Sequence, residues 1–395
     1  MKTNWQTKKL SEVCTIVGGG TPKTGIFEYW DGDLCWVTPK DLGRLDGFEI
    51  SETERKISEI GLKNSSAQKL PIGSVILSSR APIGYVVINT VPMATNQGCR
   101  SFVCGAYIFN KYLYYFLISN TELLNSLGSG STFLEVSGSR LKEIEIPLPS
   151  LETQKKIVEI LDEKFAKIRE AKSLREQSIT DTEKILSQTL REIFEEGKEK
   201  GWEEDILNNV AAKVADGTHD TPKYQSKGFP LITSKNLLES GLDFSNIKYI
   251  SEEDYIQIKQ RSGVNKGDLL IAMIGTIGNI TRVETEQKFS IKNVGLIKPD
   301  EDKVLGKYIM YFLHNSRLMS LIESKGATQK FIALGPIRNI KIKFPSLTEQ
   351  KKIVERLDAL SEKIRQMVDL QKSQLEDFKK LEKSYLREAF NGELI

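Results

Sequence analysis

The sequence has few of the residues that build catalytic and metal sites. Only two histidines, His219 and His314, occur in 395 residues, so we interpret each as a surface or capping residue rather than part of a catalytic triad or metal site. The four cysteines form no C-x-x-C pair and share their half of the chain with no histidine, which argues against zinc. We interpret them as reduced thiols of a cytoplasmic protein. They are Cys14, Cys35, Cys99 and Cys104.

Motifs that carry catalysis are also missing. No G-x-x-x-x-G-K-[ST] occurs, and Gly18-Gly19-Gly20 lacks the G-x-G-x-x-G spacing, so it predicts a turn rather than a nucleotide-binding loop. The Pro-Pro-aromatic motif of amino-methyltransferases and the Pro-Asp…Glu-x-Lys cluster of nucleases are absent as well. We therefore predict a chain that is not an enzyme and that holds no metal or cofactor of its own.

Long apolar runs are absent too. No stretch approaches the roughly 18 apolar residues that span a bilayer, so no membrane segment is expected. The Lys-rich start lacks an apolar core, which predicts no signal peptide. The apolar fraction of 39% and charged fraction of 28% are typical of globular domains with solvated helices, and the length predicts two or more domains. The net charge of +3 neither requires nor excludes nucleic acid.

What the chain does have is a long internal repeat. The segment Pro149–Asp162 reads PSLETQKKIVEILD, and 196 residues later Pro345–Asp358 reads PSLTEQKKIVERLD, with eleven of the fourteen positions identical. The period is almost half of the chain. It indicates that one domain-plus-helix unit was duplicated and then diverged.

Composition divides the sequence into four segments. Residues 1–148 and 201–344 are mixed, with short apolar runs between Gly and Pro turns, and predict two α/β domains. Residues 149–200 and 345–395 have no proline after their first residue and almost no glycine, which predicts two long helices. The predicted fold class is therefore α+β, with two mixed domains joined by two long helices.

The two long helices are expected to pack on each other as a coiled coil. Ten positions from Ile353 to Tyr385 follow 4-3 spacing and eight are apolar, whereas the first copy has polar residues at several equivalent positions, so the register in 164–182 stays open. Those polar positions could instead face a partner, and each helix could instead lie on its own domain. The predicted helix-pair interface consists of Ile157, Leu161, Ile168, Ile353, Leu357, Leu360, Ile364, Met367, Phe378 and Leu381.

Hydroxyl, amide and cationic side chains gather in the predicted loops of both mixed segments. They suit contacts with phosphates and base edges, although ordinary solvated loops have a similar composition. The candidates in the first segment are Thr21, Lys23, Thr24, Thr38, Lys40, Ser79, Arg80 and Thr132. The candidates in the second are Thr218, Thr221, Lys223, Tyr224, Ser234, Lys235, Thr276, Thr328 and Lys330.

These residues resemble the specificity (HsdS) subunits of type I restriction–modification systems. The resemblance covers the whole chain and depends most on the segment Ile146–Val158 and its counterpart Phe344–Val354. The ending Leu386–Leu394, which reads LREAFNGEL, and the Gly-x-Thr sequences at 130–132 and 326–328 are similar to the family as well.

The resemblance implies that each mixed segment is a target recognition domain. It implies that the helices are spacers that pack antiparallel, so that the domains are inverted about a pseudo-two-fold axis and read a bipartite site in double-stranded DNA. It further implies two modification (HsdM) subunits, which bind S-adenosylmethionine and methylate adenine, and restriction (HsdR) subunits that join for cleavage. The alternative is a two-headed coiled-coil DNA-binding scaffold or regulator without a methylase.

Overall fold

The computed structural model describes residues 5–80, 82–130, 134–238, 241–275, 277–314, 322–325 and 329–395. The chain divides into two compact units. Unit 1 is Met1–Arg175 with Ser373–Ile395, and unit 2 is Glu176–Lys372. Each unit contains one mixed domain, here called domain 1 and domain 2, and part of both long helices. Among the helices that the structure describes, none is long and apolar enough to cross a membrane.

Domain 1 alternates short strands with short helices before the first long helix. Its strands are β1 (Gln6–Lys9), β2 (Cys14–Gly18), β3 (Leu34–Val37), β4 (Glu49–Ile50), β5 (Lys56–Ile57), β6 (Val75–Ser78), β7 (Val86–Asn89), β8 (Met93–Thr95), β9 (Cys99–Cys104) and β10 (Glu145–Leu148). Its helices are α1 (Leu10–Val13), α2 (Pro39–Leu42), α3 (Glu59–Lys63), α4 (Asn110–Ser119), α5 (Thr121–Ser126) and α6 (Gly138–Lys142), with a 3-10 turn at Phe27–Tyr29. The long helix α7 (Leu151–Glu199) begins in this unit.

The main sheet of domain 1 is buried on both faces at its inner strands β6 and β7. Its five strands lie in the order β2-β9-β6-β7-β4, antiparallel except between β7 and β4, and a second sheet has the order β5-β3-β8. In β6, Val75 and Leu77 share a core with Tyr112 of α4, whereas Ile76 lies in a second core with Met93. Because both faces are covered, this strand is a continuous apolar run rather than an alternating one.

Domain 2 repeats this arrangement. Its strands are β11 (Glu203–Ile206), β12 (Ala211–Asp216), β13 (Phe229–Ile232), β14 (Leu237–Leu238), β15 (Gly241–Leu242), β16 (Lys248–Ile250), β17 (Leu269–Ala272), β18 (Ile280–Arg282), β19 (Ser290–Ile291), β20 (Val294–Pro299), β21 (Ile322–Lys325), β22 (Gln329–Ile332) and β23 (Lys341–Phe344). Its helices are α8 (Leu207–Val210), α9 (Glu252–Ser262), α10 (Gly306–His314) and α11 (Leu334–Arg338), with a 3-10 turn at Ser234–Asn236. The second long helix, α12 (Leu347–Asn391), follows.

The sheets of the two domains share their strand order, except that β4 of domain 1 has no equivalent in the main sheet that the structure describes for domain 2. The order β12-β20-β17-β18 corresponds to β2-β9-β6-β7, and the order β16-β13-β19 corresponds to β5-β3-β8, including the parallel pair β13 and β19. The repeat therefore extends through the fold, although most side chains of the two domains differ. The predicted α+β architecture with two long packed helices is confirmed.

The repeated sequence forms the junction between each domain and its helix. Gln154 is fully buried, and its side-chain oxygen accepts a hydrogen bond from the amide of Phe109 at 2.8 Å. Its amide group donates to the carbonyls of Tyr107 and Pro149 at 3.0 and 2.9 Å. Gln350 makes the equivalent three bonds in unit 2, at 2.9, 3.2 and 2.9 Å. One buried amide thus fixes three main-chain groups at the start of each helix.

An aspartate two turns further along completes each junction. Asp162 pairs with Lys111 at 2.7 Å and accepts a hydrogen bond from the Tyr115 hydroxyl at 2.6 Å. Asp358 makes the equivalent contacts in unit 2 at 2.6 and 2.8 Å. Burial raises the pKa of Tyr311, the hydroxyl donor to Asp358, to about 12, so that it stays protonated at neutral pH. The identical residues of the repeat therefore set where the helix leaves the domain.

Within each unit the two long helices run antiparallel. In unit 1 the ammonium of Lys164 lies 4.0 Å from the ring centroid of Tyr385, and Lys172 pairs with Glu382 at 2.8 Å. The residue numbers therefore rise along α7 while they fall along α12. In unit 2, Leu190 of α7 shares an apolar core with Leu357 of α12.

The residues predicted for the interface between the helices differ in burial. Met367 and Leu381 are 48% and 37% exposed, whereas Val368, one position after Met367, is 7% exposed. The apolar face of α12 covers three positions per heptad, whereas a helix pair buries two, so spacing alone does not select the buried row. The other predicted positions are buried at Ile157, Leu161, Ile168 and Leu357 and half-buried at Ile353, Leu360, Ile364 and Phe378.

The polar positions of the first helix lie inside the pair. The side-chain amide of Gln371 donates to the hydroxyls of Ser178 and Thr182 at 2.9 and 3.3 Å. Thr182 and Gln371 are 5% and 7% exposed. At Ser178 and Thr182, polar residues of α7 therefore face a polar residue of α12 within the helix pair.

Candidate nucleic-acid interface

In domain 1 two polar loops leave the main sheet side by side. Because β2 and β9 are antiparallel neighbours, the loop that follows β2 and the turn that precedes β9 emerge at the same edge. The amide of Gly20 donates to a main-chain carbonyl of the turn at 2.9 Å, and the Thr21 hydroxyl donates to the side-chain oxygen of Gln97. A Cβ at residue 19 would meet the main-chain oxygen of Asn96 at 1.8 Å, so this approach requires glycine. We call residues 19–24 with 95–98 tip 1.

Domain 2 has the equivalent pair of loops, here called tip 2, at residues 217–224 and 291–293. The amide of Gly217 donates to a main-chain carbonyl at 2.9 Å, and Lys292 donates to the hydroxyl of Thr221. Asn293 has φ of 53°, the only positive φ among the non-glycine residues that the structure describes. This conformation is uncommon but is tolerated best by Asn and Asp, and it turns the Asn293 side chain toward the loop.

A buried carboxylate organises tip 2. Asp216, which is 5% exposed, lies 2.8 Å from the Nε2 atom of His219 and also accepts a hydrogen bond from Arg261. The Nδ1 atom of His219 lies 3.0 Å from the side-chain oxygen of Asn293. Burial alone would raise the pKa of Asp216, but the hydrogen bonds from Arg261 and His219 outweigh it and hold the pKa below its ordinary value. The charged carboxylate therefore joins a strand end, a loop and helix α9.

Most of the sequence candidates lie at the surface. Lys40 pairs with Glu54 at 2.9 Å, and Tyr224 is 45% exposed. The exposed candidates are Thr21, Lys23, Thr24, Lys40, Thr221, Lys223, Tyr224, Lys235 and Lys330, and the half-buried ones are Thr38, Arg80 and Thr218. Thr132, Thr276 and Thr328 lie outside the described residues.

Two candidate serines are buried instead. Ser79 is fully buried and its hydroxyl donates to the carbonyl of Gly98 at 3.1 Å. Ser234 is 7% exposed and donates to the carbonyl of Asn293 at 3.3 Å. Both hydroxyls satisfy main-chain groups of the tips, so the expectation that they contact a ligand directly is corrected to a role in holding the loops.

The sequence candidates omitted several residues that the tips bring together. Gln97 and Asn293 each lie in a turn between two strands, and a polar turn after a buried strand is a signal that could have selected them. Arg261 comes from helix α9, 45 residues away from Asp216, so no local pattern points to it. His219, interpreted from sequence as a surface or capping residue, is bonded through both ring nitrogens.

Both tips carry side chains of the kinds suited to nucleic-acid recognition. Hydroxyls, side-chain amides and cations can donate to phosphate oxygens and to base edges in the major groove. Within the described ranges, no group of three or more histidine, cysteine or acidic side chains could hold a metal ion. The tips thus offer hydrogen-bond donors and acceptors on two similar scaffolds with different side chains.

Comparison with known proteins supports this interpretation. The family model for the type I restriction modification DNA specificity domain matches residues 2–178 and again 199–376. The specificity subunit of the type I restriction enzyme MjaIX of Methanocaldococcus jannaschii is 32% identical over 99% of this chain and 94% of its own length. The EcoBI specificity subunit of Escherichia coli is 26% identical over 77% of this chain and 70% of its own.

Solved structures share the fold. The HsdS subunit from Thermoanaerobacter tengcongensis superposes with a TM-score of 0.61 at 20% identity, covering 100% of this chain and 98% of its own. A chain from work on complex assembly and conformational transition of the type I R-M system gives a TM-score of 0.77 at 20% identity, covering 99% of each chain. The chain therefore belongs to the specificity subunits of type I restriction–modification systems, the non-catalytic component that determines the DNA target while S-adenosylmethionine binding belongs to the modification subunit.

Proposed function

We propose that the chain reads a bipartite, asymmetric site in double-stranded DNA, one half with residues 1–148 and the other with residues 201–344. The single observation that carries this proposal is the contrast within the repeat. The junctions of the two domains are built from the same residues, whereas the side chains of tip 1 and tip 2 differ. One scaffold with two sets of tip residues is suited to two different half-sites.

The two tips supply different donors and acceptors. Tip 1 offers Thr21, Gln97 and the nearby Lys23, and tip 2 offers Thr221 with Lys292. Amide side chains pair with adenine edges and cations pair with guanine edges or phosphates, so the two sets favour different bases. The half-sites are therefore expected to differ in sequence.

The helices at 149–200 and 345–395 join the two readers. One domain binds a short half-site weakly by itself. Linkage of the two domains raises the effective concentration of the second domain at its half-site. We expect the length of the unread gap to follow the length of the helix pair. A rigid pair of helices rises by about 1.5 Å per residue, so its length sets a fixed spacing.

The partners we propose are two HsdM subunits, which bind S-adenosylmethionine and methylate adenine in each half-site, and HsdR subunits that add cleavage. This chain belongs to a type I restriction–modification complex, and an internal repeat provides two equivalent places for one kind of partner. The chain directs these subunits to DNA and contributes no reacting group of its own.

The test is co-expression of the full chain with its modification subunit, followed by methylation-sensitive sequencing of the host DNA. We expect one bipartite motif with two unlike halves and a fixed gap. Exchange of residues 201–344 for those of a relative should change one half and leave the other. Two changed halves would contradict the modular assignment, and no adenine methylation at any bipartite motif would favour a DNA-binding scaffold that works without a methylase.

A further inference from the structure

An arginine beside tip 1 is held against two tryptophan rings. The guanidinium carbon of Arg55 lies 3.6 Å from the ring centroid of Trp30 and 5.2 Å from that of Trp36. The two rings stand almost at right angles, with an interplanar angle of 87° and centroids 5.0 Å apart. A guanidinium that stacks on an aromatic face keeps its N–H donors free along its edge. The rings therefore fix the plane of Arg55 and leave its donors available.

The same two tryptophans hold the loop of tip 1. The indole N–H of Trp36, which is 4% exposed, donates to the carbonyl of Gly20 at 2.9 Å. The indole N–H of Trp30 donates to the carbonyl of Lys23 at 3.2 Å. One pair of rings thus places the loop of tip 1 and the guanidinium of Arg55 next to each other.

The charge of Arg55 is not neutralised within the domain. Arg55 is exposed, and the adjacent carboxylate, Glu54, pairs instead with Lys40 and Arg44 at 2.9 Å each. Among the residues that the structure describes, no carboxylate forms an ion pair with Arg55. A charged guanidinium of fixed orientation is suited to bind an external group that offers two acceptors in one plane.

Domain 2 has different residues at the corresponding place. The amide of Trp36 donates to the carbonyl of Arg55 at 3.0 Å, where β3 meets the residue before β5. In β13 and β16 the positions that face each other in the same way are Leu231 and Lys248. A leucine offers no aromatic face, and an ammonium group has no planar fork. The stacked arginine therefore distinguishes domain 1 from domain 2.

We propose that Arg55 contacts a guanine in the half-site bound by domain 1, with Trp30 as a positioning residue. This inference rests on the proposed function. Two N–H donors of a guanidinium match the O6 and N7 acceptors that guanine presents in the major groove. A phosphate needs only a nearby cation, such as the exposed Lys23, and no fixed plane. Orientation of the guanidinium by two rings thus favours the base edge over the phosphate.

The experiment uses the full chain co-expressed with its modification subunit and compares Arg55→Lys with Arg55→Gln. Methylation rates are measured on a library in which every position of both half-sites is varied. Both variants should lose a preference for guanine of about tenfold to a hundredfold at one position of one half-site, because a bidentate pair discriminates by about that factor. Arg55→Lys keeps the charge but removes the planar fork, so it separates geometry from charge.

Lys56→Gln is the matched control. It removes one positive charge at the next residue, which is also exposed but whose side chain points to the opposite face of the extended chain. It should leave the guanine preference unchanged. Because Arg55 and Lys56 are both exposed, all three variants should keep the melting temperature of the unchanged chain.

The role of Trp30 has its own test. Trp30→Leu removes the stacking ring while Arg55 stays in place, and it should relax the preference at the same guanine position and at no other. Trp30→Phe retains an aromatic face and should restore part of that preference. A merely structural role of Trp30 would lower methylation of every library member alike and would overturn its assignment as a positioning residue.

Three results would overturn the guanine contact while the unchanged complex still methylates a bipartite motif. They are a guanine preference retained by both Arg55 variants, a loss that is equal across the whole library, as a phosphate contact would give, and a preference relaxed in both half-sites. Absence of methylation at any bipartite motif by the unchanged complex would instead overturn the proposed function together with this inference.

Discussion

Domain 1 and domain 2 differ most where they face solvent and least where they meet their helices. Gln154 and Gln350 each make three main-chain bonds, and the six donor–acceptor distances lie between 2.8 and 3.2 Å. In tip 1, by contrast, Thr21 bonds Gln97, whereas in tip 2 Asp216 and Asn293 hold His219.

The difference separates two kinds of constraint. The junction residues are buried, and loss of any one would leave polar main-chain groups without partners, so little change is tolerated there. The tip residues form hydrogen bonds mainly with one another, so a substitution at one position can be compensated by a substitution at its bonded neighbour. The residues that position each domain on its helix are therefore separate from the tip residues that we propose for recognition.

The largest effect is expected from a charge in the cores that hold the junctions. Leu161 and Leu357 are equivalent positions, and both are fully buried. Leu161→Glu and Leu357→Glu should each lower the free energy of unfolding by several kcal/mol, because an unpaired carboxylate is costly in an apolar core. Thermal melting should show a large and similar loss for both, with Leu174→Glu, at an exposed position, as the control. A loss confined to one of the two would break the equivalence of the units.

A smaller loss should follow removal of the buried amides. Gln154→Ala and Gln350→Ala should each cost roughly 1–3 kcal/mol, since main-chain groups lose their hydrogen-bond partners. Urea unfolding measures the cost. Gln177→Ala changes an exposed glutamine of α7 and should stay within about 0.5 kcal/mol. Equal costs at 154 and 350 would sharpen the comparison, and costs no larger than that of the control would show that the amides do not fix the junction.

Changes in the tips should affect recognition and leave stability almost unchanged. His219→Gln removes the bonds that shape tip 2, and Gln97→Ala removes the amide of tip 1. Each should relax base preference in one half-site by about 1–3 kcal/mol and leave the other half unaltered. Methylation rates on a library of half-site variants provide the measurement, with each variant serving as the control for the other. Relaxation of both halves by either change would contradict separate readers.

The smallest expected effect is a dependence on pH that only tip 2 has. The pKa of Asp216 is held below its ordinary value, so its charge stabilises the folded state above that ordinary value. This contribution should fade as pH falls below about 4, through the lowered pKa of the folded state. The difference in unfolding free energy between the unchanged chain and Asp216→Asn should therefore shrink at low pH. Thr21→Ala, which alters no ionisable group, should show a constant difference, and a constant difference for Asp216→Asn as well would rule out the charged network.

The sequence alone predicts the repeat and the helices well. Segments 149–200 and 345–395 contain α7 (Leu151–Glu199) and α12 (Leu347–Asn391), because a long stretch without proline and with regular apolar spacing has few alternatives. The spacing did not indicate that Met367 and Leu381 of the predicted row would be 48% and 37% exposed. A helix with three apolar positions per heptad can turn by one residue without losing apolar contact, and only the partner decides.

The tips were harder to predict. Ser79 and Thr21 have the same kind of hydroxyl, yet one is buried against a carbonyl and the other is exposed. Arg261 reaches Asp216 from a helix that no sequence pattern connects to the loop. Such contacts depend on how distant segments pack, which residue type and local spacing do not specify.

The junction has a consequence for how such chains change over generations. Its hydrogen bonds and ion pairs join each domain to the first turns of the helix that follows. All the helix residues that take part lie in Pro149–Asp162 or Pro345–Asp358. Gene recombination between these two nearly identical stretches would join either domain to either helix start. Each helix start would supply the same Gln and Asp to contact the domain. New pairs of half-sites could then arise in one step, from parts that already fit.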